Sequence, residues 1–264
     1  MTGSRPLALV TGASSGIGAD LARELARHGY DLVLTARRVE PMRALATELQ
    51  ALGAASTVIA ADLSRPGAAA ALAGELESRS MALDVLINNA GLGAGGPFHE
   101  SDSARVSEML YVNVVALAEL TRAVLTGMVA RRQGRIMLVA STAGFQPGPS
   151  MAVYSATKAF VLSLGEAISY ELRGTGVTLT TLCPGATHTE FTSVAKTGSS
   201  ALFSSPLAFV MTSAEVARQG YRAMVAGKRV HVVGLINKVV AASGRLSPRS
   251  LSLPVTSAIL RPGP

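Results

Sequence analysis

Several residue types are scarce in this chain of 264 residues, and their scarcity narrows the classes of protein that it can belong to. Cys183 is the single cysteine, which excludes an internal disulfide and a metal cluster built on cysteines. His28, His99 and His231 are too far apart in sequence to suggest a metal site, so we predict none. Tryptophan is absent and aromatic residues make up 4% of the chain, which weakens a single-stranded nucleic-acid site based on stacking.

Long uncharged apolar runs are also missing from the sequence. No stretch of about 18 such residues occurs, so we expect no transmembrane helix. Residues 1–5 lead directly into a strand-like run and lack the layout of a signal peptide. Together with the lone cysteine, these features predict a cytoplasmic protein.

Acidic residues are nearly missing from the C-terminal region. Residues 191–264 carry nine Lys or Arg and only Glu215, whereas residues 1–190 carry 15 basic and 16 acidic residues. Such a region can meet an anionic partner such as a membrane surface or a phosphate-bearing substrate, or it can be a solvated tail. We expect no nucleic-acid partner, because aromatic residues are sparse there, and we keep both a peripheral membrane contact and a solvated tail open.

What the sequence has in abundance is short apolar runs separated by helical patterns. Apolar residues make up 48% of the chain, and continuous runs of them are typical of parallel strands buried on both faces. Runs at 7–11, 31–36, 56–61, 85–87, 136–140, 178–182 and 230–233 are predicted strands. We therefore predict an α/β fold, a Rossmann-type doubly wound parallel sheet of seven strands in the order 3-2-1-4-5-6-7, with 1–264 as a single domain.

A glycine-rich segment lies between the first predicted strand and a helix that ends near residue 27. Glycines let the backbone turn tightly and approach a pyrophosphate, and a helix N-terminus supplies aligned N–H groups for it. The strand before and the helix after the segment make this prediction more specific than the glycines alone. The candidate contacts are Gly12, Ser14, Ser15, Gly16, Ile17 and Gly18.

Two arginines follow the second predicted strand. NAD-binding sheets of this kind place an acidic residue there, which would repel a 2′-phosphate, whereas this chain has Arg37 and Arg38. Arginine pairs with phosphate through forked hydrogen bonds, so we predict NADP(H), with Arg37 as the first candidate and Arg38 as the second. The alternative is that one or both arginines are merely solvated at a helix start.

The candidate catalytic residues lie between 141 and 158. Ser141 follows the fifth predicted strand, and ligands bind at the carboxyl ends of such strands. Tyr154 and Lys158 are four residues apart in a predicted helix over 150–173 and so share one face. A lysine ammonium beside the phenol is expected to lower its pKa from about 10, while the serine holds a carbonyl oxygen. A surface Tyr–Lys pair without function is the alternative.

With the glycine segment, Ser141 and the Tyr154–Lys158 pair in this order, the chain resembles the short-chain dehydrogenase/reductase family from about residue 6 to about residue 233. The resemblance implies roles for further residues. Asp62 would contact the adenine, although it could also be a helix N-cap, and Leu63 would pack on the adenine. Asn113 would hold a water that links the catalytic lysine to solvent. Lys158 would also hold the nicotinamide ribose.

Two further motifs carry the resemblance. Asn89, Ala90 and Gly91 follow the fourth strand and would leave room for the cofactor, and Pro184 and Gly185 form a turn after the sixth strand. Thr189, or less well Thr187, would bond the nicotinamide carboxamide. The family also implies homodimers or homotetramers that pair through the helices predicted over 103–130 and 150–173.

These features predict an NADP(H)-dependent oxidoreductase that acts on a hydrophobic ketone or aldehyde. Residues 191–212 are an apolar predicted substrate lid, and residues 235–264 are a C-terminal tail with an apolar helical stripe, broken at Pro248 and Pro254. One alternative is a non-catalytic NADP(H)-sensing protein of the same fold. Another is a sugar-nucleotide epimerase or dehydratase on the related extended fold.

Overall fold

The computed structural model describes residues 5–188 and 210–260, and seven of its strands form one parallel sheet. These strands are β1 (Leu7–Thr11), β2 (Asp31–Ala36), β3 (Ser56–Ala60), β4 (Val85–Asn88), β5 (Gly134–Val139), β6 (Val177–Cys183) and β9 (Val230–Val232). They lie in the order β3-β2-β1-β4-β5-β6-β9, which confirms the predicted fold. A separate pair of two-residue parallel strands, β7 (Thr187–His188) and β8 (Met211–Thr212), was not predicted.

Helices cover both faces of this sheet. They are α1 (Gly16–Arg27), α2 (Val39–Ala51), α3 (Ala68–Ser78), α4 (Ser103–Leu110), α5 (Leu117–Ala130), α6 (Ala152–Glu171), α7 (Ser213–Val225), α8 (Leu235–Leu246) and α9 (Arg249–Leu260). Successive residues of β1 point to opposite faces, so Ala8 and Val10 join one core with α1, α2 and α7. Leu9 joins the other core with α3, α5 and α6. The strands are therefore buried on both faces, as their continuous apolar runs predicted.

The helix predicted over 103–130 contains a wider segment. Residues Tyr111–Ala116 form a π-helix between α4 and α5, with Asn113 inside it. The buried Asn113 side chain hydrogen-bonds to Leu92 and to Thr157, which hold this turn toward the sheet edge. π-Helical turns of this kind are common at functional sites.

Segment Ser103–Ala130 is also long and apolar enough to cross a membrane, by length and composition alone. From the sequence we expected no such helix. In the fold, Leu117, Leu120 and Met128 of this segment pack into the core on the sheet. A core helix of a globular protein has this pattern of burial, so the composition of the segment has a structural explanation.

The C-terminal tail contains two helices rather than one. Pro248 lies between α8 and α9, as predicted, but Pro254 lies inside α9, so the break predicted there is wrong. Pro254 and Ser250 are both exposed, so the carbonyl that the proline ring leaves without a partner can be solvated. Most of the predicted lid, 191–212, lies outside the described residues.

Candidate active site

The glycine segment turns from β1 into α1 at the carboxyl edge of the sheet. Gly12 and Gly16 adopt left-handed conformations, with φ of +66° and +57°. A Cβ atom added at Gly18 would overlap the Gly12 carbonyl oxygen and Asn89 Nδ2. These positions therefore require glycine for two different reasons, backbone conformation and close approach.

The N-terminus of α1 is built to accept an anion. Its N-cap Ser15 makes no side-chain capping hydrogen bond, and the first turn contains no acidic residue. The aligned N–H groups and the helix dipole of such an end favour a phosphate. Arg38 Nη2 donates to Ser14 Oγ at 3.4 Å and to Ser15 Oγ at 3.2 Å, so a second positive group lies at the same loop.

Asn89 connects the ends of β1 and β4 beside this loop. Its Nδ2 donates to Thr11 O at 3.0 Å and to Gly12 O at 3.3 Å. The Thr11 hydroxyl accepts from the backbone N–H groups of Asn89 and Ala90, each at 3.0 Å. Sequence analysis missed Thr11, although its place at the end of a strand before the first glycine was a usable signal. The structure thus brings the first and fourth strand ends together, as a dinucleotide site on this fold requires.

Asp62 and Leu63 lie at the end of β3. Asp62 Oδ1 accepts from Ser64 N at 3.1 Å and Ser64 Oγ at 2.7 Å, so its carboxylate organises the turn. Burial alone would raise the pKa of Asp62. The hydrogen bonds with Ser64 and the charges of Arg37 and Arg65 lower this pKa by more, so the net shift is downward. Leu63 is buried, with 6% of its surface exposed.

Ser141 and Tyr154 meet at the end of β5. Ser141 is the N-cap of a 3-10 helix over Thr142–Phe145, and its Oγ accepts from Ala143 N at 3.1 Å. This turn packs closely on α6, because a Cβ at Gly144 would lie 2.6 Å from Lys158 O. The close packing places the Ser141 hydroxyl near enough to the Tyr154 hydroxyl to lower the pKa of the phenol as a hydrogen-bond partner. A carbonyl oxygen that took the place between these hydroxyls would meet two donors.

The Tyr154 phenol is 9% exposed, and its pKa differs from the expectation. Burial raises the pKa of Tyr154 to about 12, and the hydrogen bond with Ser141 lowers it by less. The net lowering of this pKa that the sequence predicted is not found in the structure, because desolvation of the phenolate dominates. Tyr154 therefore holds its proton at neutral pH.

Lys158 is 5% exposed and points to the sheet edge from the next turn of α6. Its Nζ donates to Val139 O at 2.8 Å and lies 5.7 Å from the centre of the Tyr154 ring. Burial lowers the pKa of Lys158 to about 8. A Cβ at Gly91 would lie 3.5 Å from this Nζ, so the glycine leaves space between the lysine and the end of β4.

Asn113 holds two chain segments to the catalytic helix. Its Oδ1 accepts from Leu92 N at 2.8 Å, and its Nδ2 donates to Leu92 O at 2.9 Å and to Thr157 Oγ1 at 3.0 Å. The Thr157 hydroxyl in turn donates to Tyr154 O at 2.7 Å. Asn113 is thus a buried positioning residue, and the water relay that the family resemblance implied stays a prediction. Thr157 was missed because a hydroxyl inside a helix gives no sequence signal of its partner.

The loop after β6 lies on the other side of Ser141. Thr142 N donates to Pro184 O at 2.8 Å, which ties this loop to the loop that carries Ser141. Thr187 is 7% exposed and its Oγ1 donates to Gly185 O at 3.0 Å. Asn237 of α8 packs on Gly185 so closely that a Cβ there would overlap its amide. Thr189 lies outside the described residues.

The surface around Tyr154 is apolar. Met109 and Met151 form a buried cluster with Tyr154, and Leu92, Val153 and Leu260 are among the partly buried residues packed against it. Leu260 is the last described residue of α9 and reaches this cluster from the C-terminal tail. Leu92, Met109 and Leu260 were not predicted, because they are too far from Tyr154 along the chain for any local pattern to join them.

Comparison with known proteins identifies the family. Residues 6–199 match the model of the family described as short chain dehydrogenase. The chain belongs to the short-chain dehydrogenase family. The family predicted from the sequence is therefore confirmed, and the site described above lies at the sheet edge that such dehydrogenases share.

Curated relatives and solved structures extend this family assignment. The chain is 38% identical over 190 residues to an NADP-dependent 3-hydroxy acid dehydrogenase of Salmonella typhi, covering 71% of this chain and 75% of that protein. It is 32% identical over 253 residues to a ketoacyl reductase of Nostoc sp., covering 92% and 85%. A short-chain dehydrogenase of Sphingobium yanoikuyae, solved in complex with NADPH, is 33% identical with a TM-score of 0.80, and 95% of each chain is covered.

Proposed function

We propose that this short-chain dehydrogenase exchanges hydride between NADP(H) and a carbonyl or secondary alcohol, and that its substrate is a hydrophobic ketone or aldehyde. The observation that supports it most is the pair of neighbouring Ser141 and Tyr154 hydroxyls beside the buried Lys158 ammonium. A panel of ketones and aldehydes of increasing size, assayed by NADPH consumption, tests the proposal. No turnover on any member would favour the alternative, a non-catalytic NADP(H)-sensing protein.

In the proposed reaction, each side chain has a separate task. When bound, the nicotinamide supplies the hydride for reduction or accepts it for oxidation. Ser141 Oγ donates a hydrogen bond to the carbonyl oxygen, and Tyr154 transfers its hydroxyl proton to that oxygen as negative charge develops there. In oxidation Tyr154 takes the proton back. The high pKa of Tyr154 suits the acid role, because the phenol is protonated at neutral pH.

Lys158 and Asn113 support the tyrosine. The Lys158 ammonium stabilises the phenolate that forms when the proton leaves, and its position near Gly91 fits a second contact with the nicotinamide ribose. Asn113 fixes the position of α6 relative to the end of β4 through its hydrogen bonds to Leu92 and Thr157. The residues that would hold the dinucleotide are the α1 N-terminus, Asn89 to Gly91, and the turn at Pro184 and Gly185.

The choice of NADP(H) over NAD(H) follows from positive charge at the end of β2. Arg38 lies at the Ser14 and Ser15 hydroxyls, whereas Arg37 is near enough to Asp62 to lower its pKa. We therefore assign the main contact with the 2′-phosphate to Arg38 and a secondary one to Arg37, the reverse of the order inferred from sequence. The Salmonella typhi relative is NADP-dependent, and the Sphingobium yanoikuyae structure holds NADPH, which supports the same cofactor here.

Replacing Arg38 with alanine is expected to weaken NADPH binding about tenfold or more and to leave NADH binding nearly unchanged. Hydrogen bonds to charged groups contribute about 1.5–3 kcal/mol, which is the loss expected for the phosphate contact. Fluorescence titration of both cofactors measures the effect, with Arg37→Ala as the matched variant. A larger loss of NADPH affinity in Arg37→Ala would assign the main role to Arg37. Equal losses of affinity for NADPH and NADH would show that the arginine does not contact the 2′-phosphate.

An apolar substrate fits the cluster around Tyr154. Met109 and Met151 are flexible thioether side chains that adapt to bulky groups, and Leu260 adds a branched wall from α9. A solved structure of an alcohol dehydrogenase from Comamonas testosteroni, described as specific for bulky-bulky ketones, is 31% identical with a TM-score of 0.77 and covers 90% of this chain and 92% of its own. These features support a bulky apolar ketone over a small polar one.

Shortening Leu260 to alanine is expected to raise the Michaelis constant for bulky apolar ketones about tenfold and to leave that of small ketones nearly unchanged. Burying one large apolar side chain contributes about 1.5–3 kcal/mol, so its loss affects substrates that reach it. Leu253→Ala, at an exposed position of the same helix, is the control. An equal rise in the Michaelis constant for small and bulky ketones would show that Leu260 does not line the substrate site.

The rate of ketone reduction should fall as the pH rises through about 8. Burial lowers the pKa of Lys158 to about 8, so its ammonium is present below that pH and lost above it. Tyr154 keeps its proton up to a pKa of about 12, so the tyrosine cannot cause a fall near 8. Turnover at saturating NADPH and ketone, measured across this range, checks the expectation. A rate that stays constant up to pH 10 would show that turnover does not depend on the positive charge of Lys158.

We also infer a cytoplasmic homodimer or homotetramer that pairs through the helices over 103–130 and 150–173. Leu110, Val129 and Phe160 on these helices are large apolar residues with 43%, 36% and 39% of their surface exposed. Apolar residues of this kind favour burial against another chain. Light scattering on the purified protein measures the assembly.

A further inference from the structure

An ordinary surface helix buries its large apolar residues, whereas helix α8 exposes them to solvent. Asn237, Ala241 and Gly244 follow helical spacing on the inner side. Ala241 is 3% exposed, Asn237 packs on Gly185, and Gly244 lies near Gln146. The outward residues Leu235, Ile236, Val239 and Val240 are exposed by 76%, 52%, 65% and 42%. An amphipathic helix normally turns such residues inward.

Helix α9 also exposes large apolar residues. Its Thr256 is 5% exposed and lies on the inner side, whereas Leu251, Leu253 and Val255 are exposed by 66%, 38% and 60%. Of the 14 exposed large hydrophobic residues among those described, seven belong to these two short helices. We call those of the set that share one side of their helix the C-terminal apolar face: Leu235, Ile236, Val239, Val240, Leu251 and Val255.

The inner residues of α8 explain why this helix cannot simply rotate. Asn237 lies against Gly185, and its Nδ2 donates to Val233 O at 2.7 Å. At Gly244, an added Cβ would lie 3.1 Å from Gln146 Oε1 and 3.4 Å from Phe145 O. A larger side chain at Gly244 would press on Phe145 and Gln146, so leucine or isoleucine cannot replace this glycine without moving that loop. The apolar side chains of α8 are therefore held outward, and a group of exposed large apolar residues of this kind marks a docking surface.

Charge decides between the possible partners. From residue 216 to the C-terminus the chain contains no Asp or Glu, whereas Lys238, Arg245, Arg249 and Arg261 lie within the two helices or directly after them. A second copy docked on this face by two-fold symmetry would offer no acidic residue from 216 onward to pair with the exposed Lys238. An anionic lipid surface attracts these basic residues instead, and apolar side chains between basic ones can enter the headgroup boundary.

We propose that the C-terminal apolar face binds the protein peripherally to an anionic lipid membrane. The inference does not depend on the reaction that the active site performs. Membrane binding would place Leu260, at the end of α9, next to the lipid surface, so an apolar ketone dissolved in the membrane would be close to the cluster around Tyr154.

Vesicle sedimentation of the full-length protein tests this proposal. We expect the protein to pellet with phosphatidylcholine vesicles that contain phosphatidylglycerol, to stay in solution with phosphatidylcholine alone, and to be released by salt. The double variant Ile236→Asp/Val239→Asp should bind the anionic vesicles at least tenfold more weakly. Leu52→Asp/Val225→Asp, at exposed apolar positions outside the face, is the matched control and should still bind.

Three results would overturn the proposal. They are the absence of pelleting with anionic vesicles, equal pelleting with neutral ones, and an equal loss in the control variant. Light scattering on the Ile236→Asp/Val239→Asp variant tests the other possible partner of this face, a second copy of the chain. If that variant changes the oligomeric state and the wild type does not bind vesicles, the face is an interface between copies of the chain. Retained thermal unfolding temperature and turnover show that the variant is folded.

Discussion

Replacing Tyr154 with phenylalanine is expected to lower turnover about 100- to 10,000-fold and to leave NADPH affinity within about twofold. The phenylalanine ring can keep the packing against Met109 and Met151, so the fold and the cofactor site should be preserved. What is lost is the proton donor and one of the two hydrogen bonds to the carbonyl oxygen. The effect should therefore appear in turnover rather than in cofactor binding.

Single-turnover reduction under saturating NADPH measures this loss directly. Tyr170→Phe is the matched control, because Tyr170 lies on the same helix with 61% of its surface exposed. It should keep the wild-type rate. A Tyr154→Phe variant that kept more than a tenth of the rate would show that another group supplies the proton.

The order of the sheet was predictable because each strand has an apolar run that needs cover on both faces. β1 illustrates this, since Ala8 and Val10 enter one core and Leu9 the other. The helices between the runs then leave few topologies for a parallel sheet. The same logic placed Gly12, Asn89 and Ser141 at strand ends, and the structure brings all three to one edge.

Features that depend on contacts between distant segments were not predictable. The π-helix at Tyr111–Ala116 accompanies the hydrogen bonds of Asn113 to Leu92 and Thr157, and no local pattern records those partners. The direction of the Tyr154 pKa shift was wrong for a similar reason. The sequence places a lysine one turn away, but the amount of burial around the phenol depends on the whole fold.

The C-terminal helices show a different limit. A stripe of Leu235, Ile236, Val239 and Val240 normally predicts the buried face of a helix, yet all four residues are exposed. On the inner face, the close contact with Gln146 selects a glycine at 244, and Asn237 occupies the contact with Gly185. Hydrophobic periodicity identifies the stripe, but only the packing of neighbouring loops shows which side it faces.

Replacing Lys158 with methionine is expected to make the protein more stable at neutral pH while lowering turnover about 100-fold or more. The ammonium is 5% exposed, and its burial lowers the pKa from 10.5 to about 8. Each unit of pKa shift corresponds to about 1.4 kcal/mol, and the lost hydrogen bond to Val139 O offsets about 1 kcal/mol of the gain. A net increase of about 2 to 3 kcal/mol in the free energy of unfolding follows. Turnover falls because the charge that stabilises the Tyr154 phenolate is gone.

The pH dependence of this gain provides the sharper test. Because the folded-state pKa lies below the unfolded one, the unfolded chain binds the proton more tightly. Below about pH 8 the lysine is charged in both states, and the folded wild type carries the full burial penalty. Between about 8 and 10.5 the folded wild type releases the proton, its stability rises, and the advantage of Lys158→Met should shrink. Urea unfolding without added cofactor, across this range, measures the difference. Lys228→Met, at an exposed position, should show no such trend. A Lys158→Met variant that is less stable than wild type at neutral pH would mean that the buried ammonium stabilises the fold.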